Sequence, residues 1–367
     1  MRVLLTNNTL AGRAGSELYL VEIARRLQQL GHEPIAYSTR LGEVADLLRA
    51  EKIPVVSELS RLPFAPDVIH GQHHLETMAA LLACPGVPAI YVCHGALPWE
   101  EAPPVFPRIH RYVAVDEACR ERLLTEAQLP PEKIQLLLNF VDLQRFQPRS
   151  PLPEKPRRAL VFSNAANENN YVRAVRAACA PLGLAVDVRG MNVGQTTAAP
   201  EQLLRDYDLV FAKARAALEA MAVGCAVIVC DTRGAGPLVT PENFNQLRPW
   251  NFGFRTLTEA PTAEYLTAQI LRYDARAATD VCRLVRAQAA LEPVVDELVR
   301  AYESACAAQK QNPPSAAEES RACAAYLQWL MPTLKQAHPP ALAWSRRKLY
   351  ERLARKADKL SRWLRAR

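Results

Sequence analysis

Short apolar segments alternate with amphipathic ones twice along this chain, and that alternation leaves little choice of fold class. In the first run RVLLT (2–6), HEPIAYST (32–39), IPVVS (53–57), DVIHG (67–71), PAIYVCHG (88–95) and RYVAVDE (111–117) read as strands. Between them LYLVEIARRLQQLG, GEVADLLRAEK, HLETMAALLAC and ACRERLLTEAQ carry apolar residues at helical spacing, and Gly31 stands where a helix C-cap would. A proline- and charge-rich stretch, PRSPLPEKPRR (148–158), interrupts the pattern and reads as a linker. The alternation then restarts. ALVFSN, AVDVRG, DLVFAK and AVIVCD are the expected strands, and NYVRAVRAACAPLG, PEQLLRDY and AALEAMAVG the expected helices. Alternation at this spacing predicts βαβ units and parallel, doubly wound sheets. The expected division is 1–150, 158–310, and a helical extension 311–367 with a break at QNPPSAAEES. Ligands of such sheets bind at the carboxyl ends of strands. The loops at 7–16, 70–76, 94–104, 163–170, 190–196, 212–216 and 231–237 are therefore the ones to inspect.

Charge separates the tail from the body. The net charge of the 367 residues is +7. Residues 345–367 hold ten Lys/Arg and two Asp/Glu, so everything before them is nearly neutral. Leu349, Leu353, Ala357, Leu360 and Leu364 form an apolar stripe there, beside Tyr350 and Trp363. Two readings fit: an interfacial helix on an anionic membrane, or a helix packed on the body with a solvated basic face. Nucleic-acid binding is the weaker expectation, because no aromatic stacking platform accompanies the charge. No apolar run approaches the roughly 20 residues of a membrane span, and the first apolar run is too short for a signal peptide. The nine cysteines show no CxxC pair or zinc spacing, which predicts reduced core thiols and a cytoplasmic location, with peripheral membrane attachment through the tail.

Five segments, in order, carry a likeness. They are AGRAGSELYLVEIARRLQQLGHEP, PDVIHGQHH, IYVCHG, RYVAVDEACRERLL with PPEKIQLLLNFVDLQRFQP, and DYDLVFAKARAALEAMAVGCAVIVCD. Over residues 1–305 the chain resembles the GT-B-fold glycosyltransferases, specifically the retaining family-4 type that uses nucleotide sugars. The resemblance implies two Rossmann-like domains facing a central cleft. It also implies a nucleotide-sugar donor on the C-terminal domain, a glycan, lipid-linked or cell-envelope acceptor on the N-terminal one, and retention through front-face attack. No metal or other cofactor is expected.

Candidate site residues follow. Gly12 and Gly15 sit between the first strand and the first helix, where backbone can approach a phosphate or simply turn. The resemblance gives Gly15 and Ser16 to the donor. Glu219, a carboxylate inside ALEAMAVGCAVIV, either holds the two ribose hydroxyls, as the equivalent glutamate does in the family, or occupies an exposed helix position. Lys213 and Arg215, ahead of the same helix, are either the diphosphate site or loop charges. His94 ends a strand and is the catalytic candidate, able to bond a donor-sugar hydroxyl or arrange the acceptor. His70, His73 and His74 are expected to line the cleft, with His73 and His74 on the acceptor side; their spacing, with Glu76 nearby, is weak for a metal. Asn139 and Asp142, in NFVDLQRF, read as structural.

Two departures stand out. Eight residues before Glu219 the family carries a glutamate, and here stands Phe211. After the first strand of the C-terminal domain it carries an Arg and a Lys, and here stand Asn164, Asn167, Asn169 and Asn170, with Arg173 the nearest cation. The leading expectation is a glycosyltransferase. A non-catalytic GT-B protein that binds a nucleotide, glycan or protein partner is the alternative, and a nucleotide-sugar epimerase would share the fold.

Overall fold

The computed structural model describes residues 1–337, 351 and 353–355. The first half runs β1 (Arg2–Thr6), α1 (Gly15–Gln29), β2 (Glu33–Tyr37), α2 (Glu43–Ala50), β3 (Val55–Val56), β4 (Val68–Gly71), α3 (His74–Ala83), β5 (Ala89–Cys93), β6 (Ile109–Ala114), α4 (Glu117–Thr125) and β7 (Ile134–Leu136). Its strands form one parallel sheet in the order β3-β2-β1-β4-β5-β6-β7. The second half runs β8 (Arg158–Phe162), α5 (Val172–Cys179), β9 (Ala185–Arg189), α6 (Pro200–Leu203), β10 (Leu209–Ala212), α7 (Ala214–Val223), β11 (Ala226–Asp231), β12 (Gly234–Leu238), α8 (Pro241–Leu247), α9 (Ala263–Ile270), α10 (Ala275–Gln288) and α11 (Leu291–Gln311). Here the order is β12-β11-β10-β8-β9, with β12 antiparallel at the edge.

The central strands of each sheet are short, apolar and buried on both faces, as parallel strands covered by helices must be. Helix ends follow local chemistry. Gly31 follows α1 with φ +79° and Gly224 ends α7 with φ +101°, and the Asp116 side chain caps α4 by accepting the Cys119 N–H at 2.7 Å. Strand order reverses between β1 and β4 in the first sheet and between β8 and β10 in the second. Each reversal opens a crevice at the carboxyl ends of those strands.

The last helix of the 158–310 segment does not stay with the second sheet. After α10, which lies on α7 and α8, helix α11 crosses back to cover β4, β5 and β6 of the first sheet and touches α1. Tyr302 on α11 hydrogen-bonds His70 at 2.7 Å, and Gln309 hydrogen-bonds His110 at 2.9 Å. The apolar face of α11 (Leu291, Val295, Leu298, Tyr302, Ala305) is buried, which accounts for the crossing.

Residues from Pro314 onward belong to a separate unit holding α12 (Ala316–Ala337), with Pro332 inside it. On α12, Leu327, Met331 and Leu334 are exposed. No helix among the described residues is long and apolar enough to cross a membrane. The basic stripe expected at 345–367 lies outside the described residues, apart from positions 351 and 353–355.

Candidate functional site

Two cavities, of about 150 and 270 Å³, lie at the carboxyl ends of β1, β8 and β10 and share Gly15 and Arg215. Gly15 is the first residue of α1. Its N-cap, Ala14, offers no side-chain acceptor, so the first N–H groups of α1 have no side-chain cap. A Cβ at Gly15 would meet nothing within 4 Å, which leaves room for another molecule against the backbone. The loop ahead of α1 already touches the second half: the Asn164 amide donates to the Arg13 carbonyl at 3.2 Å, and Arg13 donates to the Ala198 carbonyl at 3.2 Å.

Glu219 walls the smaller cavity and is 6% exposed, so it does not occupy an open helix position. Burial raises its pKa, while the adjacent Arg215 pulls it back. Arg215 lies within the first turn of α7 rather than ahead of the helix. Its Nε donates to Glu219 Oε1 at 2.9 Å, and its Nη2 pairs with the buried Glu22 of α1. Burial alone would lower that guanidinium's pKa, but the two carboxylates hold it above the usual value. Lys213 likewise pairs with Asp231. Both cations expected at a diphosphate are therefore already committed to carboxylates. Ala214 begins α7 with φ +49° and gives its N–H to the Phe252 carbonyl at 2.9 Å; Asn251 (φ 53°) and Phe252 (φ 51°) are left-handed too. Three left-handed non-glycine residues at one cavity edge mark stored backbone strain, which collects at functional sites.

His94 lines the larger cavity with Ser16, Lys213 and Arg233. It is half-buried, edge-on to Tyr19 at 4.4 Å, and its Nε2 has no hydrogen-bond partner. Burial first, then neighbouring His73, His70 and Arg215, hold its pKa well below the usual value, so it is neutral at pH 7. The other histidines are not where the sequence suggested. His73 (5% exposed) and His74 (0%) line neither cavity, because the 94–104 loop and α3 cover them. His73 Nδ1 accepts the Asn8 N–H at 3.3 Å, which puts its proton on Nε2, 3.5 Å from Glu101. His74 packs edge-on against Trp99 at 4.5 Å. No group of three His, Cys, Asp or Glu among the described residues could hold a metal ion.

Four residues outside the sequence candidates belong to this site. Glu101 is buried. It accepts the His94 backbone N–H at 3.0 Å and so fixes the loop that carries the imidazole. Burial pushes it up to about 7, against the pull of that N–H and of Arg122. Arg122 clamps the same loop through the Gly95 and Pro98 carbonyls at 2.9 and 2.8 Å. Arg13 and Arg145 line the smaller cavity. The only signal for Arg145 is its place in NFVDLQRF, where Asp142 Oδ1 accepts its backbone N–H at 3.1 Å and so sets the turn.

Residues 13–145 match the model of Glycosyltransferase Family 4. Among solved structures, a glycosyltransferase from Rickettsia africae ESF-5 is 16% identical with a TM-score of 0.60, over 83% of this chain and 98% of that one. Anabaena Alr3699/HepE, solved in complex with UDP and glucose, is 15% identical with a TM-score of 0.57, over 82% and 99%. UDP-GlcNAc 2-epimerase from Neisseria meningitidis, bound to UDP-GlcNAc, is 13% identical with a TM-score of 0.51, over 82% and 99%. No curated protein sequence matches the chain. At these identities the structural likeness is one of fold. The fold is that of the GT-B glycosyltransferases, and residues 13–145 are similar to Glycosyltransferase Family 4.

Proposed function

We propose that the protein transfers a sugar from a nucleoside-diphosphate sugar to a hydroxyl of a glycan or lipid-linked acceptor, with retention. The observation that carries this reading is the pair of adjoining cavities, one walled by Glu219 and the other lined by His94, whose buried Nε2 has no hydrogen-bond partner. The first suits a nucleoside, whose ribose hydroxyls Glu219 would accept, and the second suits the sugar. The N-termini of α1 and α7 meet between them, where a diphosphate would sit. In the transfer the anomeric carbon gains positive character as its bond to the phosphate oxygen breaks. The charge left on the diphosphate then needs donors already in position. The reaction is expected to run without added divalent metal and to survive EDTA. The tail at 345–367, rich in Lys and Arg, would hold the protein at an anionic membrane where a lipid-linked acceptor resides.

The test is thermal stabilisation by a panel of nucleotides and nucleotide sugars, on wild type and on Glu219→Ala, followed by product analysis with and without acceptor. A ligand at a hundred times its Kd adds about 2.7 kcal/mol, an easily read shift. One nucleotide sugar should stabilise the wild type. Glu219→Ala should weaken it about tenfold or more, the effect of losing a charge-assisted hydrogen bond. The anomeric configuration of the product checks retention. A converted donor without acceptor would mean epimerisation. Binding without turnover would favour a non-catalytic GT-B protein, a reading that the carboxylate-paired state of Lys213 and Arg215 supports.

A further inference from the structure

The wall of the smaller cavity is more basic than the loops of the second half alone would make it. The segment that leaves β8, residues 163–171, contains no Lys or Arg. Three arginines nevertheless line the cavity: Arg13, Arg145 and Arg215. Arg215 is already shared between two carboxylates. The other two are differently held. Arg13 is anchored by Glu43, which accepts from Nε at 2.6 Å. Arg145 is anchored by Glu201, which takes Nε at 2.9 Å and Nη2 at 2.7 Å; its Nη1 stands 3.8 Å from Glu22, beyond hydrogen-bond reach. Glu22, Glu43 and Glu201 do not line the cavity. Each arginine is thus held by a carboxylate that lies outside the cavity lining, which fixes the side chain without placing an anion in the cavity beside it.

We propose that Arg13 and Arg145 bind the donor diphosphate and neutralise it as it leaves, a role that rests on the glycosyltransferase reading above. The positive charge then comes from the first half of the chain and the turn after it, not from the loop after β8. When the bond between the anomeric carbon and the phosphate oxygen breaks, its electron pair stays on that oxygen. The acceptor oxygen forms the new bond, and its proton passes to the leaving diphosphate. Two guanidinium groups at the diphosphate favour this separation of charge because they bind the product anion more strongly than the bound donor.

The test uses the full chain and three probes: UDP or GDP (whichever stabilises the wild type), the matching nucleoside, and inorganic pyrophosphate. Arg13→Gln and Arg145→Gln should each weaken the diphosphate and pyrophosphate about tenfold and leave the nucleoside unchanged. In turnover, kcat should fall more than KM rises. Arg13→Lys and Arg145→Lys keep the charge and should recover part of the pyrophosphate affinity, which loss by misfolding would not allow. Equal losses for nucleoside and diphosphate, or no loss for either, would overturn the assignment while leaving the donor site standing. A wild type that binds none of the three overturns the donor reading and this assignment with it.

Discussion

Arg108 heads the largest fully buried side chains among the described residues, and it caps a helix from outside. Its Nη1 donates to the carbonyls of Cys84 (2.9 Å) and Val87 (2.7 Å), and its Nη2 to that of Leu81 (2.5 Å). These are carbonyls at and just beyond the end of α3, where the helix leaves acceptors unsatisfied and carries partial negative charge. Arg108→Met keeps much of the volume but strands the Leu81 and Val87 acceptors, while the Cys84 carbonyl keeps the Val87 N–H at 3.3 Å. The substitution should cost about 3 kcal/mol or more in urea unfolding, at 1–3 kcal/mol for each buried group left without a partner. A loss below about 1 kcal/mol would mean that water takes the arginine's place. Nothing in FPRIHRYV marks this role, because a charged residue ahead of a strand ordinarily points to solvent. The same holds for Glu101, Arg13 and Arg145. Their importance comes from what the fold brings within 4 Å of them, and sequence spacing does not encode that. Glu219 was legible because a carboxylate inside an apolar run must be explained locally.

At the scale of elements, the alternation of apolar strands and amphipathic helices was enough to read most of both sheets, since burial on two faces leaves a continuous apolar signal. β7 and β12 escaped it. IQL is only half-buried, and GAGPL has two glycines and a proline where a strand would normally show branched side chains. Position in the antiparallel edge explains the tolerance. The crossing of α11 escaped as well, because its amphipathic face does not say which sheet it will cover. Gly190 shows how tightly the loops that shape the smaller cavity are set. It has φ +156°, and a Cβ there would lie 2.0 Å from the Ser163 carbonyl oxygen. That oxygen belongs to backbone and has no rotamer to escape through. Gly190→Ala should therefore destabilise by about 3 kcal/mol or more and weaken nucleotide affinity. Gly12→Ala, with nothing within 4 Å of its added Cβ, should change stability by less than about 0.5 kcal/mol. Comparable losses for the two would show that the β8 and β9 ends are more yielding than their geometry implies.

For the molecule as a whole, the buried histidines set the response to acid. Burial lowers His70 to about 3 and His73 and His74 to about 4, and it holds His94 well below its ordinary value. A group whose folded pKa is depressed gives its stability in full above the unfolded value, near 6.5, and loses it as pH falls toward the folded one. At about 1.4 kcal/mol per pKa unit, the three with values contribute about 3 to 5 kcal/mol each. Glu101 works the other way. Raised to about 7 from 4.5, it contributes about 3 kcal/mol below pH 4.5, which is lost as pH rises through 7. Burial raises Glu17, Glu76, Asp116 and Glu219 too, but among the described residues Glu101 is the one opposing group shifted as far as the histidines, so stability should fall as pH drops from 6.5 toward 4. The total is comparable to the 5–15 kcal/mol that holds a domain together. At pH 6 the unfolded chain should bind about two more protons than the native one: about three on the four histidines, less about one already on Glu101. Calorimetric unfolding in buffers of different ionisation enthalpy measures that uptake. Glu101→Gln removes the opposing group, so its uptake at pH 6 should rise from about two to about three. Uptake near zero in the wild type would mean that the histidines are solvated and charged in the native state. The neutral His94 on which the cleft geometry depends would then be lost with them.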